Sequence, residues 1–225
     1  MTLTICRPLV LTCVALISTP ALASSDEQLW TTASASMKLS DHWRLSQEAV
    51  ARFSDNRNGL YEVEATLLAG YRLNKNVTLW AGYVHNPLHA AGDFTVVEHR
   101  AREQVTFDNV AKLGPGKLSA RLRLEQRWRE HIDGTGWRVR PYVKFSVPLQ
   151  GKTTLNLSSE PFFNLNTVSF QRKSGLDRVR NLVTVSTPLA KNLNGELGYM
   201  NQHGFVRRGE DTSDHVAYFA ASLSL

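Results

Sequence analysis

The sequence predicts an all-β protein: an antiparallel up-and-down transmembrane β-barrel of roughly 10 to 12 strands, following a cleaved signal peptide. Three observations carry that expectation. The chain opens with an export leader, the rest alternates apolar and polar side chains with a period of two, and short turns alternate with longer polar loops.

The leader comes first. Arg7 supplies a positive charge, and Leu9 to Ile17 form an apolar run broken only by Thr12 and Cys13. Pro20 and then Ala21-Leu22-Ala23 place small residues where a signal peptidase reads, so residues 1–23 are expected to be removed and 24–225 to form one barrel domain. The apolar run is shorter than the ~20 residues a bilayer-spanning helix needs. Cys6 and Cys13 both fall in the leader, so the mature chain has neither a thiol nor a disulfide in its oxidising compartment. After Ala23 no uninterrupted apolar stretch is long enough for a membrane helix, which excludes a helical membrane protein.

The strands follow in order. Leu29, Thr31, Ala33, Ala35, Met37 and Leu39 oppose Trp30, Thr32, Ser34, Ser36 and Lys38. From Tyr61 to Leu73 one parity reads Tyr61, Val63, Ala65, Leu67, Ala69, Tyr71 and Leu73. From Lys117 to Arg129, Leu118, Ala120, Leu122, Leu124 and Trp128 face one way, with Gln126 the polar exception. Ser119, Arg121, Arg123, Glu125, Arg127 and Arg129 face the other. Trp137, Val139, Pro141, Val143, Phe145, Val147 and Leu149 oppose Arg138, Arg140, Tyr142 and Lys144. His215, Ala217, Phe219, Ala221, Leu223 and Leu225 carry the last stripe to the final residue. On a helix these charges would spread around the axis; on a strand they share one side.

Turns separate the strands. Segments opening at Leu39, Leu73, Leu113, Leu149 and Leu189 each close one strand with Leu, use three polar or small residues and open the next. Longer polar connections are expected at Asp55 to Gly59, His85 to Asp93, His131 to Gly136, Asn164 to Gly175 and Gly204 to Ser213. The turn spacing also suits a propeller blade, but two long strands per repeat replace the four short ones a blade requires. Eleven candidate strands can be counted. Bacterial single-chain barrels have even numbers, so ten or twelve is expected, with Leu29 to Leu39 outside the regular wall or one strand missed or split. Glu103 shares a parity with Ala101, Val105 and Phe107, and is expected to mark a bulge or the aqueous end of its strand.

Which face points inward follows from energy. An Arg facing lipid at the midplane costs about 2–4 kcal/mol, so the row from Arg121 to Arg129 is expected to face the lumen. Trp43, Tyr71, Trp128, Trp137, Phe163 and Tyr199 frame the apolar faces as interfacial girdles. The charged parities hold Arg44, Arg52, Arg72, Arg100, Arg102, Arg121, Arg123, Arg127, Arg129, Arg138, Arg140, Arg178 and Arg180. The acids among them are Glu48, Glu62, Glu64, Glu98, Glu125, Glu160 and Glu196. The candidate lumen network, structural or anion-binding, is Glu98, Arg100, Arg102, Arg121, Arg123, Glu125, Arg127, Arg138, Arg140, Glu160, Arg178 and Arg180.

The chain resembles the domain-of-unknown-function 2490 family of bacterial outer-membrane barrels, from about Leu29 to Leu225. The carrying residues are Trp30, the turn Leu73-Asn-Lys-Asn76, Glu98-His99-Arg100, Leu122-Arg-Leu-Glu-Gln-Arg-Trp128 and Asp214-His215, in that order. The resemblance implies a barrel and an outer-membrane address, and no activity or catalytic residues.

The functional expectation is therefore a structural or solute-handling barrel, with small anions or lipid headgroups met by an Arg/Glu interior. Its expected partners are outer-membrane lipid and lipopolysaccharide, and the barrel-assembly machinery during biogenesis. No enzyme activity, cofactor or metal is expected. A lipid-modifying hydrolase is the alternative, but neither His99 nor His215 has a Ser at the spacing barrel lipases use. His85 and His89 have only Asp93 as an acidic companion, too little for a metal site. A soluble lipocalin-like ligand binder would turn the faces inside out. The Arg and Trp content would suit nucleic acid, a partner the export leader removes.

Overall fold

The computed structural model describes residues 24–225 apart from Arg172; the expected leader lies outside the described residues. Eleven strands form one closed barrel. They are β1 (Ser24–Lys38), β2 (Trp43–Ser54), β3 (Gly59–Arg72), β4 (Val77–Ala90), β5 (Asp93–Leu113), β6 (Gly116–Arg129), β7 (Ile132–Pro148), β8 (Thr154–Asn164), β9 (Gly175–Ala190), β10 (Leu193–Gly204) and β11 (Thr212–Ser224).

Each strand pairs antiparallel with its neighbour in sequence, and the wall closes where β1 pairs parallel with β11, from Ser24 opposite Thr212 to Ser36 opposite Ser224. The expectation of ten or twelve strands, all antiparallel, is therefore corrected to eleven in a mixed sheet. The cause is geometric. In an up-and-down barrel consecutive strands reverse direction, so an odd number brings the first and last strands together in the same sense. A parallel ladder accepts that arrangement with evenly spaced, slanted bonds.

One end of the barrel holds tight turns. Leu39 N–H donates to Trp43 O (3.0 Å), Leu73 to Val77 O (3.0 Å) and Leu149 to Thr153 O (2.9 Å), so the three-residue turns expected there are real. In the second, the Asn74 side chain also accepts from the Asn76 and Val77 N–H groups, which is why Asn serves at that position. The opposite end carries the segments 55–58, 165–174 and 205–211. Asp211 closes the last of these by accepting the Val206 N–H (2.8 Å). That bond and the nearby His203 hold its carboxyl below the usual range.

Two expected loops are strand instead. His85 to Asp93 extends β4 and starts β5 around a tight turn at Ala91 and Gly92, both at positive φ (54° and 89°). His131 to Gly136 mostly belongs to β7, with only His131 (φ 60°) turning. Their Pro, His and Gly content reads as loop, yet Pro87 and its neighbours keep cross-strand partners, Pro87 opposite Val97. Glu103 marks no bulge. It sits in regular register opposite Ala81 and Leu124, exposed on the outer face, and the β5 irregularities fall at Thr95 and between Phe107 and Ala111.

The barrel also contains an internal repeat. Leu73, Lys75, Asn76, Gly82, Tyr83 and His99 recur as Leu189, Lys191, Asn192, Gly198, Tyr199 and His215, each pair 116 residues apart. The geometry repeats with the residues. Tyr83 meets His99 as Tyr199 meets His215, and a Cβ on either Gly82 or Gly198 would lie 2.0 Å from a carbonyl of the neighbouring strand. Only glycine permits that approach.

The burial pattern is inverted relative to a soluble domain. Among the described residues twenty buried side chains are polar or charged against eight hydrophobic ones, while Leu67, Leu122, Val143, Leu197 and Phe219 are about half exposed outside. The parallel closure predicts a specific cross-link. Ala33→Cys with Ala221→Cys, directly opposite, should form a disulfide under mild oxidation, read as a shift on a non-reducing gel. Ala33→Cys with Ala217→Cys, four residues out of register, should not.

Candidate functional site

The strand parity that faces inward delivers its arginines and glutamates to one place. Glu62 and Glu64 of β3 meet Arg52 of β2, and Glu64 also binds Arg100 (2.9 Å) and Arg102 (2.8 Å) of β5. Arg102 reaches Glu125 of β6 (3.0 Å), which takes Arg138 (2.5 Å) and Arg140 (3.0 Å) from β7. Arg140 continues to Glu160 of β8 (2.8 Å), which also holds Arg121. Glu98 gathers Arg100 (2.6 Å), Arg127 (2.9 Å) and Arg129 (2.7 Å). These eight arginines and five glutamates form one continuous network across six strands.

Its centre is dry. Glu125 is 0 % exposed, Glu98 and Arg102 1 %. Burying any of these ions alone would cost several kcal/mol, and sharing each carboxylate among two or more guanidiniums is what offsets the loss of water. Arg127 donates from Nε to Glu98 Oε1 (2.9 Å) and from Nη2 to Glu98 Oε2 (2.9 Å), the two-pronged geometry a planar guanidinium allows.

All twelve expected lumen residues face inward, and ten of them are handled as the parity implies: nine join the network, and Arg178 pairs with its neighbour Asp177 (2.7 Å). Two differ. Arg123 donates from Nε to Gln104 Oε1 (2.9 Å) and Arg180 from Nε to Gln202 Oε1 (2.8 Å), with no carboxylate in ion-pair distance of either among the described residues. Conversely, Arg52, Glu62, Glu64 and Arg129 are network members outside the expected twelve. They lie on the same charged parity, which was the available signal.

Two aromatic residues inside complete the site. Phe162, 1 % exposed, has the guanidiniums of Arg138, Arg140, Arg178 and Arg180 at 5.1, 4.1, 5.9 and 4.6 Å from its ring centroid. Trp30, 4 % exposed, lies between Arg52 (4.4 Å) and Arg180 (4.5 Å). The ring faces carry the negative end of a quadrupole and substitute for carboxylates. Phe162 leaves no trace in an alternation of charged and apolar parities, because it occupies an inward position otherwise polar.

The charges fill the side of the lumen formed by β2 to β8 and leave two chambers against β1 and β9 to β11. An outer chamber of about 510 Å³ opens at the loop end, where Arg57, Arg129 and Arg178 reach it with Asp26, Asp177 and Asp214. An inner chamber of about 290 Å³ is lined by Arg121, Arg123, Glu48, Tyr142, Ser158 and Tyr218. Trp30, Arg52, Glu64, Arg140 and Arg180 border both. Above them the 165–174 loop folds in. Gln171 accepts from Arg127 (3.0 Å) and donates to the carbonyls of Trp137 (3.1 Å) and Asn166 (3.0 Å).

The histidines lie elsewhere. His99 and His215 are on the outer wall beside Tyr83 and Tyr199, His99 also 3.6 Å from Glu130. His85 is near His99, and His89 bonds the Leu60 carbonyl (2.8 Å).

The network predicts opposite responses to two neutralising changes. Glu125→Gln leaves Arg138 without a carboxylate and takes one of two carboxylates from Arg102 and from Arg140, and should cost about 3–5 kcal/mol in denaturant unfolding of the refolded barrel. Arg123→Gln removes a cation that has no carboxylate, and should leave stability unchanged or raise it.

An uncharacterized protein of Methylorubrum extorquens is 27 % identical over 222 residues, covering 92 % of this chain and 93 % of that protein. No solved structure matches the chain. The family model described as a protein of unknown function, DUF2490, matches residues 27–213, a span that takes in the whole ion-pair network, and the chain belongs to that family.

Proposed function

We propose that this chain is an exported outer-membrane β-barrel whose charge-lined lumen handles small anionic solutes. The observation that carries the reading is the inversion of burial: ion pairs inside, Leu, Val and Phe outside. A soluble barrel does the reverse. The height of the apolar wall supports it. On β2, Trp43 and Phe53 lie ten residues apart on the outer face, and at about 3.3 Å per residue and ~40° tilt that projects to about 25 Å. Trp43, Tyr71, Trp128, Trp137, Phe163 and Tyr199 are all exposed at the margins of that band, where amphipathic rings favour the lipid–water boundary.

On this reading residues 1–23 are the export leader, and the turn end faces the periplasm. Outer-membrane lipid and lipopolysaccharide surround the wall, and the C-terminal strand engages the assembly machinery. The Tyr83–His99–Glu130 and Tyr199–His215 groups belong to the lipid boundary. The hydroxyl beside each histidine is a tyrosine, and we assign the barrel no hydrolase step.

The anion preference follows from the charge count. Eight cations against five anions leave the network positive before Arg123 and Arg180 are added. The refolded mature chain should migrate differently boiled and unboiled, and in planar bilayers should give small conductance steps whose reversal potential favours anions. Arg180→Glu should reduce that preference. Cation selectivity or silent bilayers would remove anion passage through the lumen. The odd strand number adds a topological expectation: an epitope placed at Ser24 should be accessible on intact cells, and one after Leu225 should not.

A further inference from the structure

The internal repeat identifies the place where the lumen lacks an anion. Glu64 on β3 corresponds to Arg180 on β9, and Glu62 to Arg178, by the same 116-residue step. In the first unit Glu64 is enclosed by Arg52, Arg100 and Arg102. In the second, the equivalents of Arg100 and Arg102 are Val216 and Tyr218, so Arg180 meets no opposing ion. Across the inner chamber Arg123 of β6 is in the same condition. Two guanidiniums with no carboxylate in ion-pair distance therefore border one chamber, with the hydroxyl-bearing Tyr142, Ser158 and Tyr218; of its carboxylates, Glu64 and Glu160 are held by other arginines and Glu48 pairs with neither Arg123 nor Arg180.

We propose that the inner chamber is a binding site for a small free oxyanion of two or more charges, of the phosphate or dicarboxylate class, held between Arg123 and Arg180. This rests on the anion-handling reading of the lumen and gives it a location. The chamber's volume of about 290 Å³ equals that of about ten waters, enough for such an ion with part of its hydration shell. A planar guanidinium presents paired N–H donors to such oxygens, and each has only its Nε engaged by a side-chain amide. The ligand arrives through the outer chamber, whose arginines draw it in, and passes the Arg52–Trp30–Arg180 stack that both chambers share. Trp30 is consequently a built-in reporter: an anion that engages Arg180 alters the cation stacked on the indole.

The test is a titration of the refolded barrel with inorganic phosphate at constant ionic strength, reading tryptophan fluorescence and the thermal unfolding midpoint. Trp30→Phe assigns the fluorescence signal. A saturable response absent with chloride is expected, weakened at least about tenfold in Arg123→Gln and in Arg180→Gln and partly restored in Arg180→Lys, each judged folded by its unboiled gel mobility. No saturable response in the unmodified chain, or responses in the two glutamine variants as strong as in the unmodified chain, overturns the site. Lipopolysaccharide in phosphate-free buffer should not reproduce the signal; a response to it alone overturns the assignment to a free solute. Failure of the site and failure of the solute reading separate cleanly. Anion-selective conductance without a phosphate response removes the site alone, and a phosphate response in a non-conducting barrel keeps the site and removes passage.

Discussion

Everything inside this barrel depends on how few carboxylates must serve many guanidiniums in a place with little water. Glu125 accepts from Arg102, Arg138 and Arg140 while fully buried, and Glu98 does the same for Arg100, Arg127 and Arg129. Dispersed singly, these ions would each bear a desolvation cost of several kcal/mol. Linked, they satisfy one another through charge-assisted bonds and tie β2, β3 and β5 through β8 into one block. The wall is held by backbone ladders, and the interior by this network.

The ratio of cations to anions explains the rest of the lumen. Arg180, which has no carboxylate in ion-pair distance, lies against the faces of both Phe162 and Trp30, and the same rings back Arg52, Arg138, Arg140 and Arg178, which do have one. A ring face attracts a cation more weakly than a carboxylate does, about 0.5–2 kcal/mol, and carries no net charge. Arg180 is therefore left without an opposing ion on the β9 to β11 side, which is also where space is left.

Closure by an odd strand connects to the same asymmetry. The two units related by the 116-residue step share strand register, glycine contacts and Tyr–His pairs, so their backbones are alike away from the turn. Their inward residues are not: acids on β3 answer to arginines on β9. The parallel seam between β1 and β11 brings Trp30 beside Tyr218 and places it next to the second unit, within reach of Arg180.

Most of the wall was legible without coordinates. The period-two alternation, the Leu-bounded turns and the inward Arg/Glu parity are local properties, because side-chain direction along a strand depends only on residue parity. The outward aromatics and nine of the twelve expected lumen residues in the network follow from that rule. The extended hairpins at 85–93 and 131–136 did not, since Pro, His and Gly mimic a loop wherever pairing to a neighbour is what keeps the chain extended. The strand number was visible as a count and yielded to the usual even rule, because only a pairing between residues nearly two hundred positions apart decides how a barrel closes. Parity likewise tells which arginines point inward and not which find a glutamate. That choice belongs to the register and curvature of the closed sheet, and it singles out Arg123 and Arg180 from the other arginines inside.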